Sequence, residues 1–434
     1  MSKNKKEIIV YFANWYLGKL PADRGGEVAS IPWDKVTYVN HAFWAVTPAD
    51  GSRETSFERR DSGKAPRTNF GIVSMRPEND YGNQEPSDLN PELPKNHFAQ
   101  YAVYAKKYPN VNIMVSIGGW ARCGYFSEMA YTAEGRKTFV ESCVELIRKY
   151  PWIGGIDIDW EYPGCSTAGE RLPDPNADDG DEGCPIWGTV EEDAANFAQL
   201  LSELKAALAE NFGEGAKKLT ACAGASTTTI LPNQDWVAAA PSLDMINLMT
   251  YDIIGVWDAA TGHATSFMGT VKTVDYLTEK GIPESKLCIG TPLYAISFLM
   301  NEMDRDQIVG APAATHRATN EPVTETECGA FEEEAVSGYN VVKEGVKWVK
   351  DAEFYSEQEG WHLAHDDAEG ATYLYNDDEK SPYYKWFLTY EDHLSLQAKL
   401  DYINKTDLAG IIIWECSEDT EGYDFITQMA ENLL

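Results

Sequence analysis

Short runs of β-branched and other apolar residues recur along the chain, separated by longer segments in which apolar residues return every three or four positions. Eight runs stand out: EIIVYF (7–12), KVTYVNHAFWAV (35–46), VNIMVSIGG (111–119), IGGIDIDWE (153–161), KLTACAGA (218–225), DMINLMTYD (244–252), KLCIGTPLY (286–294) and AGIIIWE (409–415). Runs of this length and content predict strands, and amphipathic helices are predicted between several of them, most clearly at 133–149 and 191–210. Eight strands in βα order predict an α/β fold, a (β/α)8 TIM-type barrel, rather than an open sheet.

Two segments exceed what a bare barrel needs. Residues 47–90 form a long polar stretch rich in Pro, Gly and Asn. Residues 297–380 separate the seventh and eighth runs by far more than one helix and are expected to form a small α+β insertion domain. The barrel is then expected to comprise 1–296 and 381–434, with both long segments walling the C-terminal ends of the strands, where barrel sites lie.

Composition narrows the partners. With 36 basic against 69 acidic residues and a formal charge of −33, the chain repels phosphate backbones and anionic lipid, so neither nucleic acid nor a membrane surface is expected. Hydrophobic residues at 43% and charged residues at 24% of the 434 positions are those of a globular chain. The 13 Trp and 23 Tyr are numerous enough to suit stacking on sugar rings, although a large core also collects aromatics.

The 8 cysteines show no C-x-x-C pair and no zinc-like spacing. Cys222, Cys288 and Cys416 read as buried small hydrophobes, and Cys165 and Cys184 flank a polar loop that a disulfide would bridge. No run of about 18 uncharged apolar residues predicts a membrane span. The basic opening passes straight into a strand without the apolar stretch of a secretory leader, so the chain is expected inside the cell unless a leader was trimmed.

The candidate chemistry sits in GGIDIDWEYPG (154–164). Asp157, Asp159 and Glu161 are two apart, so on a strand they share one face, the barrel interior, and Ile156, Ile158 and Trp160 face the helices. Three acids within roughly 7 Å along a strand cannot all ionise freely, because like charges raise one another's pKa. A retained proton is what a general acid needs, and Glu161 lies nearest the substrate end. The same acids would also suit a Mg²⁺ or Ca²⁺ site.

IDIDWEYPG resembles the D-x-x-D-x-D-x-E signature of the family 18 glycoside hydrolases, the chitinases. The resemblance implies retaining, substrate-assisted hydrolysis of β-1,4-linked N-acetylglucosamine, in which the substrate's acetamido oxygen forms an oxazolinium intermediate. It implies no metal or organic cofactor, a monomer, and chitin or chitooligosaccharides as the partner. By position, Glu161 resembles the acid/base, Asp159 the carboxylate that orients the acetamido group, and Asp157 its buried partner. VSIGGW (115–120) resembles the family's S-x-G-G strand, giving Ser116, Gly119 and a stacking Trp120. MTYD (249–252) resembles the sixth-strand motif, with Met249 inward, Tyr251 steadying the acetamido carbonyl and Asp252 beside it. Tyr11, Phe43, Tyr294, Trp257 and the floor residue Trp414 complete the implied substrate contacts.

Two departures stand out: Gly154 replaces the first Asp of the pattern, and Tyr294-Ala295-Ile296 replaces the usual Tyr-Gly-Arg. The insertion and the two tryptophan platforms suggest a groove for long chains cut from an end or processively. Two alternatives remain: an endo-β-N-acetylglucosaminidase acting on N-glycans, and a non-catalytic chitin-binding lectin, which typically lacks the terminal Glu. DPNADDGDEG (174–183) and HLAHDD (362–367) read as solvated acidic loops rather than metal sites.

Overall fold

The structure, a computed structural model, describes residues 5–434 except 19, 21, 53, 168–181, 256–257, 315–359, 382 and 421. Every predicted run contains a strand: β1 (Glu7–Ala13), β2 (Tyr38–Pro48), β4 (Asn112–Gly118), β5 (Gly155–Asp159), β6 (Lys218–Gly224), β7 (Met245–Met249), β8 (Leu287–Pro292) and β14 (Gly410–Trp414). All pair in parallel, and β1 lies between β2 and β14, so the sheet closes into an eight-stranded barrel. The predicted helices are observed at Ala133–Lys149, capped by Thr132, and at Val190–Phe212, started by a capping box of Thr189 and Glu192.

Parallel strands are buried on both faces, and here the faces differ in kind. The outer face packs on the helices: Trp160 stacks on Phe126 at 5.3 Å and meets Phe197 edge-on at 5.9 Å, with Ile156 and Ile158 buried in the same layer. Tyr11, Met114, Cys222, Met249 and Ile412 pack on the inner face, among the polar groups of the site.

The 47–90 segment is ordered by β2 itself. That strand runs 11 residues and projects past the barrel, where β3 (Phe70–Ser74) pairs antiparallel to it from Trp44↔Ser74 to Pro48↔Phe70. A short helix, Ser56–Asp61, is held by Glu128, which accepts from Ser56 Oγ and both the backbone N and the guanidinium of Arg67.

A second, antiparallel sheet follows β8, in the order β10 (Ala313–Ala314), β9 (Ile296–Met300), β13 (Trp386–Tyr390), β12 (Ala371–Asn376), β11 (Trp361–Asp366). The expected boundaries at 297 and 380 fall inside this sheet. β13, assigned from sequence to the barrel, pairs with β9 and β12, because one apolar run of five residues does not reveal which sheet it joins. HLAHDD forms β11 rather than a solvated loop: Trp361, at its start, is buried, and the strand pairs with β12 from Trp361↔Asn376 to Asp366↔Ala371. Most of the 174–183 stretch and Cys328 lie outside the described residues. Among the described residues no helix is long and apolar enough to cross a membrane.

Candidate active site

Register brings the acids together. Ser116 on β4 stands level with Asp157 on β5, and Asp157 level with Thr220 on β6. Inward-facing residues at one height therefore meet at Asp157, which is 0% exposed. Its Oδ2 accepts from Tyr11 Oη at 2.9 Å and Ser116 Oγ at 2.8 Å, and its Oδ1 from Thr220 Oγ1 at 2.5 Å and Asn247 Nδ2 at 3.2 Å. Burial pushes the Asp157 carboxyl up, and the hydrogen bonds from Thr220, Ser116, Tyr11 and Cys222 pull part of that back.

Asp159 differs. It is 3% exposed, and its Oδ1 has no hydrogen-bond partner. Burial first, then the charges of Glu161 and Asp157, push its carboxyl well above the ordinary range, opposed only by a hydrogen bond from Cys222. Four donors favour the anion at Asp157, whereas like charges disfavour it at Asp159. Of the two, Asp159 is the one whose surroundings oppose ionisation more strongly.

Glu161 stands at the end of β5 and is 8% exposed. Its backbone N–H donates to Cys123 Sγ at 3.1 Å, and its carboxyl bonds the Tyr162 hydroxyl. Tyr251, 7% exposed, meets Tyr294 edge-on at 6.3 Å. Burial, Cys222 and the nearby acids push the Tyr251 phenol up, which keeps it a neutral donor. Asp252, in the left-handed region at φ 51°, accepts from Tyr294 Oη at 2.6 Å.

The remaining aromatics form a floor and a rim. Trp414 stacks on Phe43 at 5.3 Å and 16°, and Trp15 stacks on the same ring at 6.2 Å and 22°. Gly119 permits this arrangement, since at φ +83° a Cβ there would lie 2.6 Å from the Phe43 ring. Gly118 is required for a similar reason, its Cβ position lying 2.0 Å from the Asp159 carbonyl oxygen. Trp120, 53% exposed, stands at the rim.

Of the residues named from sequence, Asp157, Asp159, Glu161, Tyr11, Ser116, Tyr251 and Met249 gather at the barrel mouth, with Asp252 and Tyr294 paired beside Tyr251 and Phe43, Gly119 and Trp414 in contact nearby. Trp257 lies outside the described residues. Tyr11 and Ser116 are 1% and 0% exposed and turn their hydroxyls down onto Asp157, so they sit beneath the cleft and support the acids.

Thr220, Cys222 and Asn247 were not singled out from sequence, although the period-two alternation of KLTACAGA and DMINLMTYD places all three inward. Cys222 is thus more than a small hydrophobe: its Sγ lies 2.9 Å from Tyr11 Oη and 3.8 Å from Asp157 Oδ2. Cys165 and Cys184 remain separate thiols, Cys184 accepting from Trp160 Nε1 at 3.2 Å. At Gly154 the space for a side chain is taken by Asn112, 3.3 Å from a Cβ position. Among the described residues, His41, Asp80 and His97, behind β2, bring metal-capable atoms within 4.8 Å of one another.

The sequence profile "Glycosyl hydrolases family 18" matches residues 7–419. Chitinase A1 of Niallia circulans is 26% identical over 441 residues, covering 95% of this chain and 56% of that protein. An endochitinase of Manduca sexta is 24% identical over 433 residues, covering 96% of this chain and 64% of its own length. This chain therefore spans less than two thirds of either relative. The crystal structure of the Ostrinia furnacalis group IV chitinase superposes with a TM-score of 0.72 over 99% of both chains, and at 20% identity that likeness concerns the fold.

Proposed function

The chain belongs to the family 18 glycosyl hydrolases, and from that premise we propose that it is a chitinase, cleaving β-1,4 linkages between N-acetylglucosamine units with retention. The observation that carries this reading is the unequal pair at the barrel mouth: Asp157 braced by hydrogen bonds from Tyr11, Ser116, Thr220 and Asn247, and Asp159, beneath Glu161, with one oxygen unbonded and its carboxyl pushed well up.

In the proposed reaction Glu161 protonates the glycosidic oxygen while the substrate's own acetamido oxygen attacks the anomeric carbon. Tyr251, kept neutral by its surroundings, donates to that acetamido group and orients it. As positive charge develops on the acetamido nitrogen, Asp159 passes its proton to Asp157, its buried partner on β5, and the Asp159 carboxylate offsets the charge of the oxazolinium. Water then opens the ring, with Glu161 returning as base. The Phe43–Trp414 floor supplies an apolar surface beneath the reacting sugar. No step calls on a metal or an organic cofactor.

The second sheet supports a polymeric substrate over the core of an N-glycan. Its strand β9 begins two residues after Tyr294, and the buried Phe298 and Phe387, with the half-buried Tyr373 stacked on Phe387, join Tyr294 in one apolar cluster that holds the sheet beside the cleft as a wall. A long wall rewards a long chain. Action from a chain end belongs to the same proposal.

The test is Glu161→Gln, which keeps the shape and removes the proton. Hydrolysis of chitohexaose should fall by about 10²-fold or more, the range for a lost general acid, with binding retained. Initial product from the wild type should be the β-anomer. Turnover by Glu161→Gln near the wild-type rate would overturn the assignment; wild-type activity on a glycoprotein but none on chitohexaose would move it to the N-glycan enzyme.

A further inference from the structure

Behind the floor of the cleft lies a buried carboxylate that the proposed reaction does not use. Asp80, 0% exposed, sits in the short turn Glu78–Gly82 that follows β3. Its Oδ1 accepts from His41 Nε2 at 2.8 Å and lies 3.3 Å from His97 Nδ1. Its Oδ2 accepts from Trp44 Nε1 at 2.9 Å and Ser74 Oγ at 2.5 Å. The Asn14 amide reaches both oxygens at 3.4 Å. One carboxylate thus joins the end of β1, the middle of β2, the end of β3 and the helix His97–Lys107.

Asn14 carries this outward. Its Nδ2 also donates to the Phe43 carbonyl at 3.2 Å, and its backbone N–H to the Ala42 carbonyl at 2.7 Å. With an acceptor on each side, the amide has one orientation, NH₂ between Asp80 and Phe43. The Phe43 backbone is therefore tied, through one side chain, to a buried anion. Its ring is the one against which both Trp15 and Trp414 pack, the two indoles also touching each other.

We propose that Asp80 is a positioning residue: by fixing Asn14 and the β2 segment around Phe43, it sets the Phe43 ring against Trp414 and so shapes the floor under the sugar without touching it. This rests on the reading of the cleft as a chitin site. The same trio has the composition of a metal site, but Asp80 already receives Trp44, Ser74 and Asn14 besides the histidines, and no fourth ligand joins the trio among the described residues. A hydrogen-bonded anion fits those donors better.

The test uses the full chain with Asp80→Asn, Asn14→Ser and Phe43→Leu, singly and combined. Asp80→Asn should raise KM for chitohexaose about fivefold with kcat changed less than about twofold, a size usual for coupled neighbours. In the Phe43→Leu background that increase should disappear. Near-ultraviolet circular dichroism of the ligand-free protein should change in the same way for Asp80→Asn and Phe43→Leu, and this readout needs no turnover. If the wild type neither binds nor cleaves chitohexaose, the chitinase reading fails while the dichroism still decides the positioning role.

Should Asp80→Asn not fold, Asn14→Ser carries the test, since it cuts the same link and leaves the charge in place. An Asn14→Ser protein with unchanged KM and dichroism would overturn the proposal. So would an Asp80→Asn penalty of equal size with and without Phe43, or one equivalent of divalent metal in purified wild type that Asp80→Asn loses.

Discussion

Which member of the buried pair carries the charge can be read from one hydroxyl. Ser116 is 0% exposed, and its Oγ donates to Asp157 Oδ2 at 2.8 Å. Ser116→Ala removes that donor and leaves almost no cavity. A hydrogen bond to a charged group contributes roughly 1.5–3 kcal/mol, against about 0.5–1.5 kcal/mol for a bond between neutral groups.

The Ser116 bond lowers the Asp157 pKa within the folded protein, although burial leaves the overall shift upward. Stability gained from such a lowering is present while Asp157 is ionised and is lost as pH falls through its folded pKa. Urea midpoints for wild type and Ser116→Ala, measured from neutral to acid pH, should therefore differ by roughly 1.5–3 kcal/mol at pH 7 and by about half of that or less in acid. A loss of only about 0.5–1.5 kcal/mol at every pH would mean that Asp157 is neutral throughout. That result would refute the placing of the proton on Asp159.

Two further outcomes follow from other parts of the molecule. Asp193, 0% exposed and accepting from Ser127 Oγ and the Gly164 N–H, has its carboxyl pushed up to about 6 by burial. A raised carboxyl stabilises the folded state below its unfolded pKa of about 4, and that advantage is lost as pH rises through about 6. Asp193→Asn cannot ionise, so its stability relative to wild type should improve by about 2 kcal/mol between pH 4 and pH 7 in urea titrations; a flat difference would contradict the shift. For Trp120→Ala, covering roughly 100 Å² of exposed ring at ~25 cal/mol per Å² is worth about 2.5 kcal/mol. Calorimetric affinity for chitohexaose on an inactive Glu161→Gln background should fall by tens of fold, with a smaller loss for chitobiose, and equal losses would place Trp120 off the path of long chains.

The strand alternation in IDIDWE was enough to put Asp157, Asp159 and Glu161 on one face and Trp160 on the other, because residues two apart on a strand cannot do otherwise. The eight apolar runs likewise announced the barrel. Periodicity fixes a face but not a height. Which inward residues of neighbouring strands stand level with Asp157 depends on how the barrel's strands are staggered, so Thr220 and Asn247 became visible as its donors only once the register was known.

Membership in a sheet is equally silent in local sequence. β13 has the apolar content of a barrel strand, and only its long-range pairing with β9 and β12 assigns it to the second sheet. Asp80 is the extreme case: nothing in ENDYG distinguishes it from a surface acid. Its burial results from His41, Trp44, Ser74 and His97, which come from three separate elements and converge only when β3 folds back on β2 and the helix from His97 closes over them. What the sequence determined by itself was set by backbone periodicity, which acts over a few residues. What the tertiary structure decided was which side chains share a buried space, because that depends on strand stagger and loop return across distances no local pattern encodes.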